Sequence, residues 1–455
     1  MKKNLLFRLM LLVTGLLLGA NLTWADTGTL ILTFKAPVGN EVSLTFGVWD
    51  TEDEYSVDFG DGTLQTAKVG VSNAGPVDPE TGQTTGATVF TGTVSGDGTI
   101  KVYGNNDVWY LLVSGGAMPT TLDQAKLMNV VQMSITGADA ESVTLPAYPQ
   151  MTQFSFNNSP LRTIDVSKVA TLTSLTVNNT TSAATQLESI DVSNNTELTY
   201  LSLQGNANSY GKLTSLDLSK NTKLENIMVQ YNALTDVTLG EYYPTGTVNF
   251  SCNQLTVFDG TFGKNSGYFD VSGNQLTALD LSEQVKKGNI KVQNNLFTLA
   301  TLPAKPAVTS ASKYTYAPQP AYVVDESLSE LDLSSQLMAV GVGTEPVETA
   351  YSFVTESGTP LVEGTDYEVT EPGKFRFIKD QAEKVHGIME TQAFPKFTGA
   401  NAYVTTEFTI VPYSGISYVD ADQLQNGKYY NLQGVEIQKP IKGVYIQNGR
   451  KVVVK

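Results

Sequence analysis

One pattern, apolar-x-x-apolar-x-apolar, recurs through the middle of this chain at a fixed period, and that period constrains the fold more than any local propensity. Ser159, Thr180, Asn206, Asn232, Asn253, Asn274 and Asn295 each follow a strand-like stretch, at steps of 21, 26, 26, 21, 21 and 21 residues. A second track, Asp165, Asp191, Asp217, Thr238, Asp259 and Asp280, keeps step with the first. The five-residue increments are the insertions "NTTSAAT" and "GNANSYG", which a coiled array accommodates as loops. Stepping back 21 from Phe154 and Phe156 gives Met133 and Ile135, so the array starts near residue 130 and runs to 302. A 21-residue coil cannot bury its own apolar face, whereas stacked coils share one continuous core of Leu, Ile, Val and Phe. Asparagine at each turn offers an amide to backbone groups that a strand end leaves unpaired. Asn206, Asn232, Asn253, Asn274 and Asn295 are therefore expected to form a structural ladder.

The "LxxLxLxxNxL" pattern over residues 130–302 resembles the short bacterial leucine-rich repeats of 21 or 22 residues. The flanks alternate instead. Leu30, Leu32 and Phe34, then Val42, Leu44 and Phe46, then Tyr55, Val57 and Phe59 predict a β-sandwich-like domain over 26–129. Within it, "SVDFGDGT" is similar to the DFGDG motif of immunoglobulin-like domains of the polycystic-kidney type, and a tight Asp-Gly turn explains Asp58 and Asp61 without a calcium ion. A proline-rich linker is expected at 303–322, and renewed alternation predicts an immunoglobulin-like β-sandwich at 323–412. The fold class is thus mainly β, a leucine-rich repeat solenoid of 21-residue coils flanked by β-sandwich domains.

Both ends speak to location. Lys2 and Lys3, the apolar run from Leu9 to Ala20 and Thr23-Trp24-Ala25 read as a cleaved signal peptide over residues 1–25. Residues 413–455 hold six Lys or Arg against three acids, a net of +3 that leaves −19 of the chain's −16 on the rest. Tyr430-Asn431-Leu432-Gln433-Gly434, Lys442-Gly443-Val444-Tyr445-Ile446, Asn448-Gly449 and the terminal Lys451 to Lys455 are similar to C-terminal sorting domains of the type IX secretion route. That resemblance implies a secreted or cell-surface, outer-membrane-associated protein and a tail read by secretion machinery. With one cysteine, Cys252, an exported chain has no intramolecular disulfide and relies on packing.

Chemistry is sparsely provided. The acidic charge and the lack of a dense basic patch exclude nucleic acid as a partner. One histidine, His386, and one cysteine exclude the usual zinc sets, and a Ser-His-Asp triad would need His386 to act from outside the repeat. Carboxylates of the Asp track on adjacent coils stand about 5 Å apart, near the spacing of retaining glycosidases, yet a row of near-equivalent acids offers no asymmetry. Solvated acids and calcium bridging, aided by Ser167, Ser193, Ser219 and Ser282, are the other readings of that row. No catalytic residue, metal site or cofactor is assigned, and the chain is read as a non-enzyme.

Binding is better supplied. If the strands before the Asn track make the regular face, its outward positions are Tyr200, Ser202, Gln204, Asn226, Met228, Gln230, Asn249, Ser251, Tyr268, Asp270, Ser272, Lys291 and Gln293. Tyrosine joins large apolar area to a hydroxyl, which suits recognition, although Tyr210, Tyr231, Tyr242 and Tyr243 serve equally as covers for coil edges and insertions. The expected role is adhesion-type binding of an extracellular protein or glycoprotein. The alternatives are a structural or assembly component of the cell envelope, and a glycan-binding surface protein, for which Trp49 and Trp109 are scant aromatic platforms.

Overall fold

The computed structural model describes residues 29–48, 54–69, 87–105, 107–178, 187–341, 345–411, 417–419, 428–432, 434–447 and 450–454. The expected leader (1–25), Trp49, the whole first insertion with Thr180, Gln433 and the Asn448-Gly449 turn lie outside those residues. The described chain is mainly β, and its helical segments are single 3-10 turns of three or four residues. No helix among the described residues is long and apolar enough to cross a membrane. The chain divides into two units, residues 1–242 and 243–455.

In the first unit, Gln132–Thr136, Gln153–Asn157, Ser174–Thr176, Tyr200–Ser202 and Asn226–Met228 pair in parallel, and each position faces the one 21 or 26 residues away. Met133 faces Phe154, Phe154 faces Leu175, Leu175 faces Leu201 and Leu201 faces Ile227. Each of these central side chains is buried. Burying one contributes roughly 1.5–3 kcal/mol, and a strand of three residues holds only because its neighbours supply that burial. The other half of each coil forms a second parallel ladder, with Ser142–Thr144, Thr163–Asp165 and Ser189–Asp191 in one sheet and Ser215–Asp217 beside Asp236–Thr238 in another. This is a leucine-rich-repeat-type solenoid of 21-residue coils.

The N-terminal domain is a two-sheet sandwich whose second sheet runs on into the solenoid. One sheet orders Leu64–Lys68, Glu54–Asp58, Thr99–Gly104, Thr29–Lys35 and Met118–Pro119. In the other, Val108–Val113 pairs antiparallel with Glu41–Val48 on one side and parallel with Gln132–Thr136 on the other, Leu111 facing Met133. The change from sandwich to coil therefore falls within one sheet rather than at a boundary near residue 130. "VWYLLV" is buried on five of its six positions, so it carries no alternation to mark which of its edges is parallel. In the DFGDG segment, the Asp58 carboxylate is buried and accepts from the Gly60 and Gly62 amides at 2.8 and 3.0 Å, and Asp61 accepts from the Thr63 amide at 2.7 Å. Gly60 has φ +104°, and a Cβ there would lie 2.4 Å from the Ser95 carbonyl oxygen.

In the second unit, Thr247–Asn249, Tyr268–Asp270, Asn289–Lys291 and Tyr314–Thr315 pair in parallel. The last of these lies inside the stretch expected as a linker, so coil geometry extends past residue 302. Prolines and the absence of the leucine pattern hide it in the sequence, because Tyr314 and Tyr316 do there what Leu does elsewhere. Tyr316 then packs edge-on against Phe394 and Phe397, at 5.1 and 5.3 Å, and its hydroxyl accepts from the Lys396 amide. A sandwich follows, built from Ala350–Thr355, Val385–Glu390 and Tyr403–Val404 in one sheet and Glu330–Asp332, Lys374–Phe377 and Tyr367–Glu371 in another. Phe353 centres it, with Tyr367, Phe375 and Phe377 at 4.9 to 5.3 Å in edge-to-face contact. The tail has its own small sheet, including Tyr429–Tyr430, Gly443–Gln447 and Arg450–Val454, closed over Tyr429, Tyr445, Val452 and Val454.

Candidate functional site

The solenoid strands place the expected outward residues as two rows, one in each unit. In the first unit, Tyr200, Gln204, Asn226, Met228 and Gln230 are half-buried, and Ser202 is fully covered. Strands ~4.8 Å apart bring like positions into contact, so a short side chain disappears between longer neighbours. The row is joined by hydrogen bonds. Gln230 Nε2 donates to Gln204 Oε1 at 2.6 Å, Gln204 Nε2 to Ser202 Oγ at 2.8 Å, and Ser202 Oγ to Asn178 Oδ1 at 2.9 Å. Asn178 Oδ1 also accepts from the Gln204 amide at 2.9 Å. Asn178 is the residue that sequence reasoning missed here, although it stands 21 residues after Asn157, whose Oδ1 in turn accepts from the Asn178 amide.

In the second unit, Asn249, Tyr268, Lys291 and Gln293 are half-buried, while Ser251, Asp270 and Ser272 are covered. Asp270, only 4% exposed, organises the row. Its Oδ1 accepts from the Ser272 amide and hydroxyl at 3.0 and 2.5 Å, and its Oδ2 accepts from the Tyr268 hydroxyl at 2.8 Å. Lys291 Nζ stands 3.5 Å from Asp270 and 5.1 Å from the centre of the Tyr268 ring. Burial holds the Tyr268 phenol above its ordinary range, and the contact with Tyr268 raises Lys291 further. Neither group titrates near neutral pH.

Behind the rows run the polar ladders. Asn232 Nδ2 donates to the Leu203 and Val229 carbonyls, Asn274 to Phe250 and Val271, and Asn295 to Val271 and Val292, all between 2.7 and 3.1 Å. Asn274 and Asn295 also accept, from the Leu255 and Leu276 amides. Asn253 donates to the Phe250 carbonyl at 3.0 Å. The residue before the rung is left-handed at Asn158, Tyr231, Cys252, Gly273 and Asn294, though not at Gly205. Asn206, expected as a rung, differs: it is half-exposed in the insertion, where its Oδ1 accepts from the Asn208 amide. Gln319 adds a rung past the expected array, with Nε2 on the Val292 and Tyr316 carbonyls and Oε1 receiving the Asn295 amide. A second ladder lies at the opposite turn, where fully buried Asn195 holds the Val166 and Val169 carbonyls and Asn221 holds those of Val192 and Asn195. Its signal is legible in retrospect as Asp-x-Ser-x-Asn in "DVSNN" and "DLSKN".

The Asp track serves the turns. Asp165, Asp191, Asp217 and Asp280 each accept from the backbone amide of the serine two residues on, at 2.8 to 2.9 Å. In the first three, hydrogen bonding from that serine's hydroxyl and then its amide lowers the carboxyl below its ordinary value, and in Asp280 the amide comes first. Among the described residues, no three His, Cys, Asp or Glu side chains gather as a metal site. His386 sits half-buried on Val385–Glu390, opposite Val354. Tyr242 is buried, and Tyr210 packs edge-on against Tyr231 at 5.7 Å, so part of the tyrosine crowd covers coils.

No protein-family model matches this chain, and no curated protein does. Among solved structures, the functional domain of InlJ from Listeria monocytogenes, which includes a cysteine ladder, is similar at TM-score 0.35 and 13% identity. The similarity covers 64% of this chain and 64% of that one, so this chain spans less than two thirds of that structure's length.

Proposed function

We propose that this chain is a non-enzymatic, exported or cell-surface binding protein that recognises an extracellular protein or glycoprotein through the outward rows of its solenoid. The observation that carries this reading is the nearly uncharged polar row on short rigid strands in each unit, in which Tyr200, Asn226, Met228 and Gln230 of the first unit and Tyr268 of the second keep accessible surface. Side chains already held by neighbours lose little freedom on binding, which is how a flat surface gains affinity. Export and delivery to the cell surface rest on the N-terminal and C-terminal sequence signals, with secretion machinery as the reader of the tail.

One observation favours the second reading, a structural component of the cell envelope: Ser202 is covered and bonded to Asn178 and Gln204, and Asp270 and Ser272 are covered and bonded to each other, as they would be in a scaffold. A single experiment separates the two. The full chain and its Met228→Asp/Tyr268→Asp variant are titrated against immobilised extracellular matrix proteins, glycoproteins and free glycans. The binding reading expects saturable binding to a protein or glycoprotein, weakened at least about tenfold in a variant of unchanged melting temperature. Binding indifferent to both substitutions would move the assignment to the envelope, and binding to free glycans alone to the third reading.

A further inference from the structure

A second recognition site lies away from the rows, in the first unit. Ser142–Thr144 is an edge strand, the first of its three-stranded sheet. Its pairing with Thr163–Asp165 uses alternate residues: the Glu141 carbonyl receives the Arg162 and Thr163 amides, and the Leu145 amide donates to Asp165. In a parallel ladder the intervening residues turn their N–H and C=O groups the other way, so those of Ser142 and Thr144 point from the edge that no described strand pairs. Both residues are exposed.

That edge opens onto a cleft of about 390 Å³, whose far wall is the Met118–Pro119 strand and the turn after it. The far wall is itself the edge of the sandwich sheet. Two tethers hold it in place. Gln124 exchanges hydrogen bonds with the Thr33 backbone, accepting at 2.8 Å and donating at 3.0 Å, and donates to the Thr121 carbonyl at 3.0 Å. The buried Tyr148 hydroxyl donates to the Leu122 carbonyl. The cleft is thus preformed between two sheet edges. Pro119 has no N–H to give, so pairing falls to the Ser142–Thr144 side. Its charged lining, Lys168 and Asp123, is neutral in sum, which leaves backbone pairing to dominate recognition.

We propose that this cleft binds an extended polypeptide segment of a partner protein by β-strand addition to Ser142–Thr144. The site is independent of the solenoid rows and of the function argued from them.

The test uses the full chain and a phage-displayed random dodecapeptide library, with selected peptides resynthesised. Thr144→Pro removes the groove-facing N–H and spares the bonds to Thr163–Asp165, whereas Thr144→Ala removes the side chain and keeps the N–H. Thr121→Trp fills the cleft from the far wall. Selected peptides are expected to protect the Ser142 and Thr144 amides from hydrogen exchange. They should bind Thr144→Ala within about twofold of wild type and lose about tenfold or more with Thr144→Pro and Thr121→Trp, each of unchanged melting temperature. Peptides whose affinity ignores both the proline and the tryptophan would overturn the proposal. So would unchanged exchange at Ser142 and Thr144, or protection of those amides by concentrating the chain without peptide, which would mark self-pairing instead.

Discussion

Single asparagines add side-chain bonds between coils to those of the backbone ladders. Asn274 satisfies three buried backbone groups, the Phe250 and Val271 carbonyls and the Leu255 amide. Val271 keeps a second donor in Asn295 and Phe250 one in Asn253, so truncation leaves only the Leu255 amide without its partner. Asn274→Ala is expected to lower the unfolding free energy by about 2 kcal/mol, read by urea denaturation. Asn206→Ala, in a half-exposed insertion, should cost less than about 1 kcal/mol in the same measurement. Sequence period alone placed both residues in one track. What separates them is the insertion "GNANSYG", which pulls Asn206 into a local turn and leaves Asn232 to bridge Leu203 and Val229. Asn195 and Asn221 escaped notice for a different reason: two coils share the spacing, while Val169 and Gln284 occupy the equivalent place in others.

At the scale of elements, a three-residue strand has no stability of its own, so legibility depends on repetition. The 21-residue register was readable because the coils reuse one inward apolar position, and several of them one left-handed residue before the rung. The ends were not readable. Val108–Val113 is paired on both sides and Tyr314–Thr315 replaces Leu with Tyr, so composition shifts mark neither as part of the coil sheet. Coil contact is close enough to test directly. A Cβ at Gly260 would lie 1.9 Å from the Asp280 carbonyl oxygen of the next coil, with backbone rather than a mobile side chain in the way. Gly260→Ala is expected to destabilise the protein by about 2 kcal/mol or more, measured by the shift in denaturation midpoint at constant slope. The outward rows were legible as positions, by alternation, but their burial was not. Whether Ser202 or Asp270 meets solvent depends on the length of side chains one coil away.

For the whole molecule, the sequence carried the mainly β, leucine-rich-repeat-type solenoid further than it carried a ligand. The acidic body and basic tail were plain in the charge count, and the two recognition surfaces argued above became visible only with the strands paired. One shows side chains set by neighbouring coils, and the other is a sheet edge left open beside a pinned turn. The central claim concerns the rows, and hydroxyl-radical footprinting of the full chain with its protein or glycoprotein ligand tests it most directly. Met228 and Tyr268 are oxidisable reporters on the rows, and Met338, 48% exposed on the C-terminal sandwich, is the internal reference. The account predicts that ligand slows oxidation at Met228 and Tyr268 severalfold while Met338 reacts as before; unchanged rates at both row residues, with protection elsewhere on the chain, would contradict it.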